Sequence, residues 1–496
     1  MYYQSTRGSR DVHTAAEAIA KGLADDGGLL APLSFPQLSI KDIESLSAKT
    51  YSERATAILG MYLDDFSAEE LGRYADEAYR APGYDHYKIA PLRKLDAATF
   101  FLELWHGPTS AFKDMALQML PRLLQASLRK TGEKRRVCVL VATSGDTGKA
   151  ALEGFKDVPG TKIMVFYPRD GVSEVQKLQM TTQDGNNVNV AAVEGNFDDA
   201  QTGVKAIFSD LAFRDELSEK NYFLSSANSI NWGRLVPQIV YYVSAYCDLL
   251  SAGDIKAGEK INFCVPTGNF GNILAGYYAE KMGLPVNKLI CASNRNNVLT
   301  DFFNTGVYDK NRPFYTTSSP SMDILVSSNL ERLLYELSGK DGEAVSGYMT
   351  ELAGTGKYGV PPSFSDELSR VFAAGLCADE DTGKTIAGVL KNYNYLIDTH
   401  TAVAYKVLND YRARTGDGTP TVVVSTASPF KFCGSVLEAL GQHTAKDSIG
   451  LIGELEKFTG AAAPAPLTAI RGKTPRFQTS VPVPGMLEAV RKFILS

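Results

Sequence analysis

The chain has little to offer metal or disulfide chemistry. Its six cysteines, at positions 138, 247, 264, 291, 377 and 433 of 496 residues, include no CxxC pair. Most lie in apolar, strand-like stretches, which reads as buried thiols in a reducing compartment. Five histidines (His13, His86, His106, His400 and His443) show no HExxH or similar spacing, so no metal site is expected. No apolar run reaches membrane-span length, and the opening MYYQSTRGSRDVHTAAEA lacks a signal-peptide core. Charge is nearly balanced, with 51 Lys+Arg against 56 Asp+Glu, and gives no reason to expect a nucleic-acid or membrane partner. What remains is an ordinary cytosolic composition, 44% hydrophobic and 22% charged. The length suggests about three domains.

The first stretch reads as helical. DVHTAAEAIAKGL, IKDIESLSAKTYSERATAILGMYL and SAEELGRYADEAY carry apolar residues at three- and four-residue spacing. APGYDHYKIAPLRKL, with two prolines, marks a boundary. Beyond it, apolar runs end in polar or glycine-rich loops and resume as helical patterns: RRVCVLVA–TSGDTG, TKIMVFYP–RDGVSE, NVNVAAVE–GNFDD, KINFCVPT–GNFGN, KLICAS–NRNN and TPTVVVST–ASPFKFCG. Six such units predict an α/β fold with a mostly parallel open sheet and helices on both faces. Ligands bind outside the carboxyl ends of strands in such folds, where all six loops fall.

Two loops resemble phosphate motifs without matching them. TSGDTGK (143–149) has Thr143 where a GxxxxGK[ST] loop needs glycine, and Ala150 where it needs Ser or Thr. PTGNFGNILAG (266–276) contains no GxGxxG. Gly268, Asn269, Phe270, Gly271 and Asn272 still open a helix, and converging N–H groups there suit one phosphate. Read alone, the loop favours a tight strand-to-helix turn. In HGPTSAFKD (106–114), Lys113 follows a Gly-Pro turn beside Ala111 and Phe112. An apolar, turn-rich setting lowers a lysine's pKa and suits a base or imine former, although a structural lysine at a helix start reads the same way. A lysine, a single-phosphate cup and hydroxyl-rich strand-end loops are the parts a phosphorylated aldehyde cofactor needs.

HGPTSAFKD, SGDTG and TGNFGN together resemble the threonine synthases, pyridoxal-phosphate enzymes of the tryptophan-synthase-β fold group. ADDGGLLAP, NSINWGRLVPQIVYY (228–242), SPSMDILVSSNLERLLYE (319–336) and TASPFKF (426–432) continue the resemblance in order along essentially the whole chain. Two positions depart from the pattern: Ser428 stands for the usual histidine of TAHPxKF, and Thr399 for the usual proline of DPHTA.

The resemblance implies fold type II, with a family-type N-terminal domain over 1–85. It further implies a catalytic core over 86–496 whose two α/β lobes hold pyridoxal 5′-phosphate between them. It makes Lys113 the imine-forming lysine and proton shuttle. Gly268, Asn269, Phe270, Gly271 and Asn272 become the cofactor phosphate site, and Thr426 the hydroxyl facing the pyridine nitrogen. Ser144, Gly145, Asp146 and Thr147 are expected to receive the substrate carboxylate; a turn capped through Asp146 or Thr147 is compatible with this. The implied substrate is O-phosphohomoserine, converted with water to threonine and phosphate, in a cytoplasmic monomer or homodimer. Its phosphate would lie against Arg234 with Asn228, Ser229 and Asn231. Arg234 as a solvated or ion-paired side chain stays open, as does His106 over the cofactor or merely bonded to its turn. Asp114 is expected to cap or pair near Lys113. Competing readings are a phospho-lyase giving 2-oxobutanoate and a non-catalytic amino-acid-sensing module.

Overall fold

The computed structural model describes residues 1–443 and 449–495. The first 79 residues pack a short antiparallel pair, β1 (Tyr3–Ser5) and β2 (Leu30–Pro32), with four helices, α1 (Ala15–Lys21), α2 (Ile40–Ser47), α3 (Tyr51–Tyr62) and α4 (Ala68–Ala78). Each of these helices starts at a Ser or Thr whose side chain caps the third residue, while a Glu or Asp there reaches back. The sequence pattern runs continuously through 40–62. The structure divides it at Ala48–Thr50, because Thr50 and Glu53 form a capping box inside the apolar run.

The rest of the chain builds two sheets. The strands are β3 (Leu92–Lys94), β4 (Thr99–Glu103), β5 (Arg136–Ala142), β6 (Thr161–Pro168), β7 (Val188–Val193), β8 (Tyr222–Ser226), β9 (Ile261–Pro266) and β10 (Val286–Ser293). After these come a small antiparallel pair, β11 (Val307–Asp309) and β12 (Lys357–Gly359), then β13 (Phe372–Leu376), β14 (Thr421–Ser425) and β15 (Ser480–Val481). One sheet runs β15-β7-β6-β5-β8 and is wholly parallel; the other runs β13-β10-β9-β14-β4-β3, with only the edge strand β3 antiparallel. The six expected units are thus shared between two sheets, β5, β6 and β7 in one and β9, β10 and β14 in the other. β4 and β8 escape the pattern because each runs into a turn-rich loop.

Strand order positions the site. β4, β14 and β9 are neighbours, so the loop bearing Lys113, the segment from Thr426 and the glycine loop leave the carboxyl edge of one sheet side by side. β5 and β8 are neighbours in the other, which brings 143–147 beside 227–231. The N-terminal domain docks on the second pair. Trp232, wholly buried, lies 5.1 Å from the Tyr3 ring and 5.5 Å from Tyr62. Asn231 donates to Ile19 O at 3.2 Å. All six cysteines are free and buried. Among the described residues no helix is long and apolar enough to cross a membrane.

Candidate active site

The turn 106–113 is wound around a carboxylate. Asp114, fully buried, accepts from Thr109 N and Oγ1, both at 2.8 Å. A Cβ on Gly107 would meet Asp114 Oδ2 at 2.6 Å, so only glycine fits there. Burial raises Asp114 to about 7 against the pull of these two bonds. The turn is then pinned to the end of β14: Phe112 N donates to Thr426 O at 2.8 Å, Ser428 N donates to Ser110 O at 3.1 Å, and Ala111 bridges Ala427. Ser110 sits at φ +59 and Phe270, the residue before the helix of the glycine loop, at φ +65. Left-handed backbone at such residues costs roughly 1 kcal/mol each and clusters at functional sites.

Lys113 comes out of this turn with its Nζ 4.0 Å from the Phe112 ring centroid and no hydrogen-bond acceptor among the described residues. Burial first and Arg234 second lower it to about 7, against the opposing pull of Asp146. Arg234 is itself buried, and burial brings it to about 10, so it stays charged at neutral pH. Its Nη1 donates to Ala227 O while Nε has no partner, and no carboxylate pairs with it among the described residues. Arg234 is therefore buried and, among the described residues, has no carboxylate partner.

In the glycine loop, a Cβ on Gly268 would lie 2.7 Å from Ser321 O, and the Gly268 and Asn269 carbonyls accept from Ser327 Oγ and from Asn329. Asn272 Oδ1 accepts from both Tyr241 and Tyr242 at 2.7 Å, leaving its Nδ2 buried without an acceptor. Ser321 Oγ and Ser110 Oγ are likewise buried and unpartnered. Thr426 is buried with its hydroxyl making no hydrogen bond among the described residues. A buried polar group normally has a partner. Ser110, Arg234, Asn272 and Ser321 are among the described residues that depart from this rule, and all four lie in the loops that carry Lys113 and the glycine segment or in segments bonded to them.

The loops of the second sheet differ from expectation. Thr143, not Asp146 or Thr147, caps the helix Asp146–Phe155 by accepting from Gly145 N and Gly148 N. The Asp146 carboxylate is held by Lys431 at 3.0 Å and Gln176 Nε2 at 2.8 Å. Asn231 caps the helix Trp232–Leu235, Asn228 donates to Ala142 O at 3.4 Å, and Ser229 Oγ accepts from Asn329 at 2.8 Å. Thus Arg234 keeps donor capacity, while the expected companions Asn228, Ser229 and Asn231 are bonded within the protein. His106 does not stand free over the site: Asp85 and Glu103 take its two ring nitrogens at 2.6 and 2.9 Å. Burial alone would lower His106, but the two carboxylates outweigh it and raise it to about 9.

Sequence reasoning missed Lys431, Gln176 and Gln179, treated below, and His400. The last accepts from Ser321 N at 3.2 Å and pairs with Asp398 at 2.9 Å. The two departures have local accounts. Ser428 caps the turn Pro429–Lys431, and Thr399 begins a helix capped by Asp398, a first position that suits proline too.

Comparison with known proteins now defines the class. Residues 84–427 match the family model described as pyridoxal-phosphate dependent enzyme, and the geometry is that of a fold type II enzyme of this kind. Residues 2–79 match threonine synthase N terminus and 401–494 threonine synthase, C-terminal. The chain is 41% identical to threonine synthase of Pseudomonas aeruginosa over 447 residues, 90% of this chain and 92% of that one. It is 43% identical to human threonine synthase-like 1 over 439 residues, 86% of this chain, but spans only 58% of that relative's length. The pyridoxal-phosphate-bound threonine synthase from Brucella melitensis superposes with TM-score 0.87 at 39% identity, covering 100% of both chains. The yeast threonine synthase structure gives 0.87 at 32%, covering 100% of this chain and 98% of that one. The chain belongs to the threonine synthase family of pyridoxal-phosphate-dependent enzymes. The cofactor fits the site: a Lys113 amine with no acceptor among the described residues, a glycine loop with an orphan buried amide donor, and a Thr426 hydroxyl with no partner among them.

Proposed function

We propose that the protein is a threonine synthase that takes O-phosphohomoserine and water to threonine and phosphate. The observation that carries this is the pairing of Lys113, lowered to about 7, with the charged, incompletely bonded Arg234 beside it. Bound pyridoxal phosphate supplies an electron sink for carbanion charge. Lys113 holds that cofactor and, as a free amine near neutrality, takes the proton from the substrate's Cα and returns protons along its chain. The glycine-loop N–H groups and Asn272 Nδ2 take the cofactor phosphate. Thr426 gives a neutral hydroxyl to the ring nitrogen, which leaves the ring without an enforced charge. The first turn of the helix Asp146–Phe155 receives the substrate carboxylate through backbone N–H groups, since Thr143 and Asp146 are already bonded. Arg234 takes the phosphate that leaves from Cγ, because a buried guanidinium without a counter-ion is completed by an anion.

Purified protein given O-phosphohomoserine in water enriched in heavy oxygen is expected to release unlabelled phosphate and to carry the label in threonine's β-hydroxyl. Labelled phosphate overturns the reading in favour of a phosphatase. Dominant 2-oxobutanoate replaces it with a phospho-lyase.

A further inference from the structure

Lys431 is wholly excluded from solvent, and its ammonium has three protons and three acceptors. Thr109 O lies at 2.8 Å, Gln179 Oε1 at 2.9 Å and Asp146 Oδ1 at 3.0 Å. These acceptors come from both lobes. Lys431 and Thr109 follow β14 and β4 of the six-stranded sheet. Asp146 starts the helix after β5, and Gln179 sits in the helix Glu174–Thr181 after β6 of the five-stranded sheet. The same seam carries further bonds: Gln179 Nε2 donates to Thr109 O at 3.2 Å, and Ser173 Oγ to Lys431 O at 3.0 Å. A Cβ on Gly145 would meet the Gln176 amide at 2.5 Å, so the loop is also sterically seated.

Stability alone is a weak reason for such a pair. Taking two ions out of water costs several kcal/mol each, and apolar side chains of equal volume often serve as well. Two hydrogen bonds and an ion pair from one ammonium do supply a fixed spacing between the loop 143–149 and the turn carrying Lys113. They also fix a charge. Burial pushes Asp146 up, but Lys431, Gln176 and His400 together outweigh it and hold the carboxylate below its usual range. Asp146 is in turn the acidic group acting on Lys113, against Arg234.

We propose that Lys431 is a positioning residue that clamps the two lobes together, setting the 143–149 loop against the lysine-bearing turn and the Asp146 carboxylate at a fixed place beside Lys113. The clamp itself is independent of the functional reading; its effect on cofactor chemistry rests on that reading.

The test uses Lys431→Met, Asp146→Asn and the double variant of the full chain. Each single change leaves one buried charge alone and is expected to lower the melting temperature, while the double change removes both and regains most of it. If the clamp exists, the double variant still exchanges backbone amides in 106–114 and 143–149 about tenfold faster or more, measured in cofactor-free protein. In cofactor-loaded protein, the pH midpoint of the visible absorbance is expected to fall by about one unit, because the anion beside Lys113 is gone. A double variant with restored melting, wild-type exchange and an unmoved midpoint overturns the proposal and leaves the pair as core packing. Wild-type protein that shows no visible absorbance with added pyridoxal phosphate fails the functional reading instead, and exchange alone then decides the clamp.

Discussion

Two buried arginines, less than a hundred residues apart in the chain, show what separates a scaffold from a site. Arg332 ties the N-terminal domain to the core: its guanidinium donates to Leu30 O at 3.1 and 3.0 Å, Ile230 O at 2.7 Å, Ser229 O at 3.2 Å and Asn329 Oδ1 at 2.6 Å. Arg234 has the Ala227 carbonyl and an orphan Nε. Burial brings both to about 10, so environment in the sense of exposure does not distinguish them. Completeness of hydrogen bonding does. Arg332 is finished by neutral carbonyls and an amide, whereas Arg234 keeps a donor that no acceptor among the described residues fills.

The sharpest way to break the comparison is at the lysine. Lys113→Ala is expected to keep the fold and lose about four orders of magnitude in phosphate release, the upper range for removal of an acid–base group. Borohydride-fixed wild-type protein should carry the pyridoxyl label on the Lys113 peptide. Label on Lys149, which is bonded to Glu153 and Gln183, would put the site elsewhere.

Arg234→Met and Arg332→Met then test the contrast directly. The first is expected to raise the KM for O-phosphohomoserine roughly a hundredfold, matching ~3 kcal/mol for a charge-assisted contact. Melting should change little, since an uncompensated buried charge is removed. Inorganic phosphate should protect wild-type protein against melting and fail to protect this variant. Arg332→Met should do the reverse, lowering stability by about 3 kcal/mol through unsatisfied carbonyls while leaving KM near its wild-type value. Equal melting losses for both variants would erase the distinction.

A third cation gives the smallest effect. His106 has carboxylates on both ring nitrogens, and its folded pKa is raised to about 9. Its contribution is fully present below its unfolded pKa of about 6.5 and is lost as pH rises through 9. The stability gap between wild type and His106→Gln, followed by denaturant titration, should therefore be widest near pH 6 and shrink above pH 9. A gap that widens with pH would contradict the assignment.

How far the sequence was legible depended on the distance between partners. HGPTSAFKD and TGNFGN are contiguous, so the resemblance could single out Lys113 and the glycine loop, and the structure brings both to the carboxyl edge of one sheet. Lys431 stood inside a quoted motif, yet its acceptor Thr109 is 322 positions away and nothing local announces the pairing. Asn231 and Asn228 were expected as ligands because the resemblance put them with Arg234 in NSINWGR. Asn231 standing before WGRL was also a cap signal, and the structure uses it that way. TYSE at 50–53 likewise spelled a capping box within what looked like one helix. Gly268 looked like a residue kept for ligand approach, but Ser321 O occupies the space a side chain would need. Gly268→Val would thus weaken the cofactor-free fold as well as cofactor retention.

The order of synthesis gives the β4–β14 pairing a further meaning. β4 is complete by Glu103, but its parallel neighbour β14 ends at Ser425, and the Phe112–Thr426 bond closes only beyond that. The five-stranded sheet is completed later still, when β15 (Ser480–Val481) pairs with β7 and Lys162 meets the Phe493 carbonyl. The lysine-bearing turn therefore lacks its seat until the chain has been made through Ser428, so any shorter nascent chain carries Lys113 without the partners that hold its turn.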